Sequence, residues 1–142
     1  MSGDDIGTEN DLALYRLEKA EQCLSDSETL INKRSYEGAV NRSYYCIYHC
    51  IRSILALDGV EYKRHSGNIS HFRQNYIKTG VFDKSFSVIV GSAFDTRSDS
   101  DYEDYISFTS EDAKKQFYNA KLFYSAISDY VKDRIGKNKN FS

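Results

Sequence analysis

The stretch YEGAVNRSYYCIYHCIRSILALD, residues 36–58, decides the fold. Tyr36, Val40, Ser43, Ile47, Ile51 and Ile54 recur at steps of three and four, the period of one face of an α-helix. Tyr44, Tyr48 and Leu55 form a flanking stripe. An apolar band this broad predicts a helix buried against more than one neighbour, or one set in a subunit interface. Asp58-Gly59 predicts its end, because glycine accepts the left-handed backbone that closes a helix.

Working outward, the flanks carry the same period. Before it, Ala13, Leu17, Ala20, Leu24 and Ile31 predict a helix from about Glu9 to Lys33, after a disordered leader at residues 1–8. Asn32–Ser35 is a polar turn, with Ser35 the expected N-cap of the second helix. After it, Val60–Gly67 reads as a connector containing Lys63-Arg64-His65. A short helix over Asn68–Lys78 follows, with Ile69, Phe72, Tyr76 and Ile77 inside. A fourth begins near Asp83, with Phe86, Ile89, Val90, Ala93 and Phe94 on its apolar face. Thr109-x-x-Asp112 resembles a capping box and opens a fifth helix to about Ile135, whose inner residues are Ala113, Phe117, Ala120, Tyr124, Ile127 and Val131. Residues 137–142 are expected to fray. No segment alternates with period two. The expectation is an all-α domain over residues 9–136, an antiparallel up-and-down four-helix bundle with one additional short helix.

Composition agrees with this. The 142 residues contain no Pro and no Trp, so nothing imposes a fixed kink, and twelve Tyr and eight Phe must supply much of the core. The net charge of −2 excludes a wholly basic nucleic-acid coat or a polybasic membrane anchor, though not a local basic patch. No apolar run approaches the ~20 residues that span a bilayer. The acidic start, Met1-Ser2-Gly3-Asp4-Asp5, is the opposite of a secretory signal. Cys23, Cys46 and Cys50 are an odd number within helical patterns and read as reduced thiols of a cytoplasmic protein.

The fourth helix holds the first clue to function. Its apolar stripe, extended one turn from Ala93, lands on Arg97 and then Asp101. Spaced i,i+4, the two could be a semi-buried ion pair that fixes a dimer register, or a functional pair. Residues 95–104 set Asp95, Asp99, Asp101, Glu103 and Asp104 against Arg97 alone, a cluster that repels phosphate unless a metal or a partner's basic groups offset it. Cys46, His49 and Cys50 share a helical face, yet the paired CxxC spacing of a metal knuckle is absent, so no metal and no cofactor are expected. The Lys63-Arg64-His65 loop could hold a phosphate or be a solvated connector. Ser43-Tyr44-Tyr45 could stack on bases or be core.

Tyr36-Glu37-x-Ala39, Asn41-Arg42-Ser43-Tyr44-Tyr45, the run to Leu55, the loop ending in His65 and Gly67, Arg97-Ser98-Asp99-Ser100-Asp101-Tyr102 and Ser110-Glu111-Asp112-Ala113 appear in this order. Together they resemble HEPN domains, in particular small stand-alone prokaryotic ones with an Arg-x-x-x-Asp-Tyr motif. The resemblance implies a helical bundle that dimerises around the helix carrying the Arg motif. Many members are RNases with Arg, four to six residues, then His; others pair with a minimal nucleotidyltransferase in toxin–antitoxin or defence modules. In a subset of those pairs the partner modifies a Tyr just after the motif His. Here Tyr102 stands where the nuclease His is expected, and no His follows position 71. Tyr titrates near 10 and is a poor general base at neutral pH. The modified-Tyr position falls on Asp104, with Tyr105 one residue on.

The resemblance and the charges imply a non-enzymatic or weakly enzymatic homodimer that binds RNA, a nucleotide or a partner nucleotidyltransferase in an inter-subunit cleft. Arg97 would grip a phosphate, Asp101 orient it, and Tyr102 stack or hydrogen-bond, with His65 and Tyr45 as further ligand contacts. One alternative is a metal-independent endoribonuclease toxin in which His65 or His49 enters the site to move the proton. Another is a purely structural interaction module with an aromatic docking surface.

Overall fold

The computed structural model describes the backbone of residues 3–102 and 107–140, and the side chains of residues 7–96 and 107–137. The described residues are helical throughout: α1 (Gly3–Asn32), α2 (Tyr36–Asp58), α3 (His65–Phe72), α4 (Ser85–Tyr102) and α5 (Ser110–Asn140). A π-type turn, Arg73–Ile77, continues α3 and is closed by the Lys78 N–H donating to Arg73 O at 2.9 Å. α1 starts at Gly3, ahead of the expected Glu9, and α5 runs past Gly136. A single glycine costs a helix only about 1 kcal/mol, and the i,i+4 pair Lys137–Asp133 at 3.0 Å spans Gly136.

Directions follow from the contacts. Ser53 Oγ donates to Ala13 O at 2.7 Å and Ser27 Oγ to Ala39 O at 2.8 Å, so α1 and α2 are antiparallel. Gln116 reaches Ser92 at 3.1 Å while Phe123 packs on Phe86, so α4 and α5 are antiparallel too. Cys46 faces Ala120 and Leu57 faces Arg134, so α2 and α5 run the same way. The chain is thus an up-and-down four-helix bundle, with α3 and its π turn as the extra element between α2 and α4. α2 touches all four other helices.

The core follows the stripes. Val40, Ile47, Ile51, Ile54 and Leu55 of α2 are buried with Ala13, Leu17 and Ala20 of α1, Phe72, Val90, and Ala120, Ile127 and Val131 of α5. Each such branched side chain contributes about 1.5–3 kcal/mol relative to exposure. Phe123, off the expected stripe of α5, is fully buried against Phe72 and Phe86, whereas Phe117 is only half-buried.

Two helix ends form as expected and one does not. Thr109 and Asp112 cap α5 reciprocally, the Thr109 N–H donating to Asp112 Oδ2 at 3.0 Å and the Asp112 N–H to Thr109 Oγ1 at 3.1 Å. Gly59 closes α2 at φ 70, with Gly59 N–H on Ala56 O and Val60 N–H on Leu55 O, both 3.1 Å, the Schellman pairing. Ser35 precedes α2 but makes no side-chain cap; its N–H is drawn back to Leu30 O at 2.8 Å to finish α1, and its backbone stands at φ −96, ψ 76. In that turn the left-handed position belongs to Arg34, at φ 63, whose N–H bonds Ile31 O at 2.9 Å. An L-residue with a Cβ is disfavoured there by about 1–2 kcal/mol. Arg34→Gly is therefore expected to stabilise the fold by about 1 kcal/mol and raise the melting temperature by roughly 3 °C in a thermal scan.

Candidate functional site

The sequence-marked residues divide between two elements. Arg97, Asp101 and Tyr102 fall on the last turns of α4; their side chains lie outside the described residues, as do Asp104 and Tyr105. His65 and Tyr45 are described, and they meet. His65 is not in a connector: it is the first residue of α3. Tyr44 Oη lies 2.7 Å from His65 Nδ1, and the His65 ring stacks on Tyr48 with centroids 3.9 Å apart. Tyr45 stands edge-on to Tyr44 at 5.1 Å and to His65 at 6.3 Å. Tyr44, itself buried, also packs on Phe94 of α4 at 6.4 Å, one turn before Arg97. The aromatic cluster thus joins the start of α3 to the helix that bears the other three residues.

Asn68 holds this corner together. Its Nδ2 donates to Tyr48 Oη at 2.7 Å and its Oδ1 accepts the Tyr62 N–H at 3.0 Å. Outside it, Tyr48, Arg52, Glu61, Tyr62, Lys63, His65 and Asn68 line a cavity of about 440 Å³. Glu61 bridges two arginines, Arg52 at 2.6 Å and Arg16 at 3.1 Å, and these hold its carboxyl below the usual range. Arg16 is buried, also donates to Arg52 O at 2.9 Å, and has its pKa lowered by that burial and by Arg52.

Arg42, Tyr45, His49 and Arg52 form a second row at steps of three and four, all half-buried on one face of α2. The Arg42 guanidinium sits 5.2 Å from the Tyr45 ring centre, and Tyr45 is 6.1 Å from His49. The signal for Arg42 and Arg52 is present in the sequence, but it is masked by the stronger apolar stripe of the same helix. His49 Nδ1 is buried without a protein partner. Burial first, then Arg52, Lys19, Arg42 and Arg16, push its pKa down from 6.5 to about 4. Four cations thus act on one imidazole in a chain whose net charge is −2, two of them, Arg16 and Arg52, sharing Glu61.

Cys46 and Cys50, which share the His49 face in the sequence, are instead fully buried in the core. Burial raises the Cys50 thiol well above its ordinary value, helped by a hydrogen bond with Cys46, which makes it inert. Among the described residues no three His, Cys, Asp or Glu side chains converge as metal ligands.

At the far end of α2, Asp58 gathers a network that spacing does not reveal. It accepts from Tyr76 Oη at 2.7 Å, from His71 Nε2 at 3.0 Å and from Arg134 Nη1 at 3.0 Å. Arg134 also donates to Tyr76 Oη at 2.9 Å and to Leu57 O at 3.3 Å. Burial and the Asp58 hydrogen bond push the Tyr76 hydroxyl far above its ordinary pKa; burial opposes the Arg134 charge, but Tyr76 and Asp58 outweigh it and raise its pKa. The network ties α2, α3, the π turn and α5 together. Asp58→Ala strands a partly buried guanidinium and hydroxyl, and is expected to cost on the order of 3–5 kcal/mol, seen as a lower urea midpoint at unchanged m-value.

His49 sets the acid limit. Its folded pKa is depressed, so below about 6.5 the unfolded chain binds a proton that the native state refuses. Stability is therefore full above pH 6.5 and falls as pH drops from there toward 4. His49→Gln is expected to lose less melting temperature than the parent between pH 7 and pH 5, measured by thermal scans at each pH.

Comparison with known proteins agrees with the helical order. The chain is 31% identical over 122 residues to a Methanocaldococcus jannaschii protein named "Putative toxin", covering 86% of this chain and 81% of that one. It is 29% identical over 119 residues to a UPF0332 protein of Thermotoga maritima, with 84% and 90% covered. A UPF0332 protein of Archaeoglobus fulgidus is 27% identical over 124 residues, with 87% and 95% covered. The family model for the HEPN domain matches residues 13–130, which takes in every core helix and both faces of the candidate site: the chain belongs to the HEPN domain family.

Proposed function

We propose that this HEPN-domain protein binds RNA through the positive, aromatic face formed by α2 and the start of α3, acting as a homodimer within a prokaryotic toxin module. One observation carries the reading. Arg42, Arg52, Lys19 and the buried Arg16 act on His49, Arg42 also lies against the Tyr45 ring, and Arg52 continues into the cavity holding His65 and Lys63. Cations beside stacking rings are what a single-stranded nucleic acid needs, since the charges take phosphates and the rings take bases. The name of the Methanocaldococcus jannaschii relative supports the toxin setting. Arg97, Asp101 and Tyr102 would complete the site from α4, with Arg97 gripping a phosphate. A nucleotide or a partner nucleotidyltransferase are the other ligands this cleft would suit.

A second reading is favoured by His65. Its ring is fixed by Tyr44 and Tyr48, and Tyr44 in turn packs on Phe94, one turn before Arg97, so His65 would move a proton in place of the His that Tyr102 replaces. That would make the protein a metal-independent endoribonuclease.

Fluorescence anisotropy with a labelled oligouridine, beside incubation with total RNA, decides between them. Binding is expected to weaken about tenfold or more in Arg97→Ala and in Arg42→Ala, a loss of about 1.4 kcal/mol, with the RNA left intact. Unchanged affinity in both folded variants would sink the binding reading. Cleavage by the parent that disappears in His65→Gln would establish the second.

A further inference from the structure

On the opposite side of α3, the π turn and α4 enclose a groove that the site above does not use. Two cavities make it. One, of about 530 Å³, is lined by Arg73, Gln74, Ile77, Lys78, Lys84 and Ser87. The other, of about 560 Å³, shares Arg73 and Gln74 and runs on past Ser70 and Gly91 to Phe94 and Asp95. Phe94 touches Tyr44, so the far end of the groove meets the back of the His65 cluster, and Arg97 follows one turn later on α4.

Arg73 divides the two cavities and is held in place. Its Nε donates to Ser87 Oγ at 3.1 Å and its Nη2 to Ser87 O at 3.2 Å, across the gap to α4. A Cβ at Gly91 would lie 3.1 Å from Arg73 Nη2, so glycine lets the guanidinium lie close on the helix. Lys78 and Lys84 are exposed at the mouth. From Tyr62 to Phe94 the chain carries Lys63, Arg64, Arg73, Lys78 and Lys84 against Asp83 alone. Asp83 is occupied in capping α4, accepting the Ser85 N–H at 3.0 Å, and Asp95 stands at the other end of the groove. The charge therefore concentrates at the Arg73–Lys84 end.

We propose that this groove is a second binding segment, taking the phosphodiester backbone of the same single-stranded RNA, with phosphates on Lys78, Lys84 and Arg73 and the strand leading toward Phe94 and the Arg97 end of α4. The inference rests on the RNA-binding reading and adds a path and a charge count to it. A fixed guanidinium beside two exposed lysines suits a chain of regularly spaced anions, and the apolar wall from Ile77 past Ile69 to Phe94 offers its bases a surface to lie on.

The test is the salt dependence of oligouridine binding. Each phosphate neutralised contributes about 0.7 to the slope of log K against log salt for a single strand. Lys78→Gln/Lys84→Gln, both exposed and therefore tolerated by the fold, is expected to make the slope shallower by about 1.4. Lys121→Gln/Lys132→Gln on α5 is expected to leave it unchanged. A parental slope in the Lys78/Lys84 variant, with Arg42→Ala still weakening binding, would overturn the groove and leave the α2 face standing. Competition by polyglutamate as effective as by unlabelled RNA would also overturn it, in favour of an acidic protein partner. Absence of any RNA binding by the parent chain would remove both readings.

Discussion

Helix α2 is enclosed on most of its faces, leaving one half-buried row, Arg42, Tyr45, His49 and Arg52. From Ala39 to Leu57 most of its residues are buried, and α1, α3, α4 and α5 all rest on it. A helix enclosed in this way must draw most of its polar partners from within the protein, since an unpaired buried donor or acceptor costs about 1–3 kcal/mol; His49 Nδ1 is the exception among the described residues. The fold answers this with short, specific contacts. Ser43 and Ser53 bond into α1, Tyr44 and Tyr48 bond into α3, and Asp58 collects donors from three elements at the C-terminal end. The placing of α3, and so of His65, follows from these bonds to α2.

The same enclosure sorts the charges. Half-buried Arg42 and Arg52 emerge at the edge of α2 and, with Lys19 and the buried Arg16 of α1, act on His49. The depressed pKa of His49 reports that field together with its burial. On the other side of α3, Arg73, Lys78 and Lys84 gather along a groove beside α4. A chain with a small negative net charge thus gathers basic side chains on both sides of α3, a grouping that net charge and pI hide.

Legibility in the sequence varies with how local the cause is. The Thr109–Asp112 capping box and the Gly59 closure involve neighbours along the chain, and their residue types predict the observed bonds. Ser35 has the type of an N-cap without its bond, a difference that residue type alone does not reveal. The start of α3 at His65 and the π winding at Arg73–Ile77 are not readable from spacing. They depend on Tyr44, Asp58 and Ser87, residues far along the chain that pull His65, Tyr76 and Arg73 into place. Phe123 enters the core for a similar reason, filling the space between Phe72 and Phe86.

The amino-acid sequence by itself determined that the chain is helical, where its long helices lie, and which family order its motifs follow. Those features arise from a period of 3.6 residues, from capping chemistry and from the absence of proline, all of which act over a few residues. Only the tertiary structure decided that His65 and Tyr45 share a corner, that Cys46 and Cys50 part from His49, and that Asp58 binds His71, Tyr76 and Arg134. Those pairings join residues distant in the chain. Their geometry exists only after the helices have packed, when burial makes each hydrogen bond and charge obligatory.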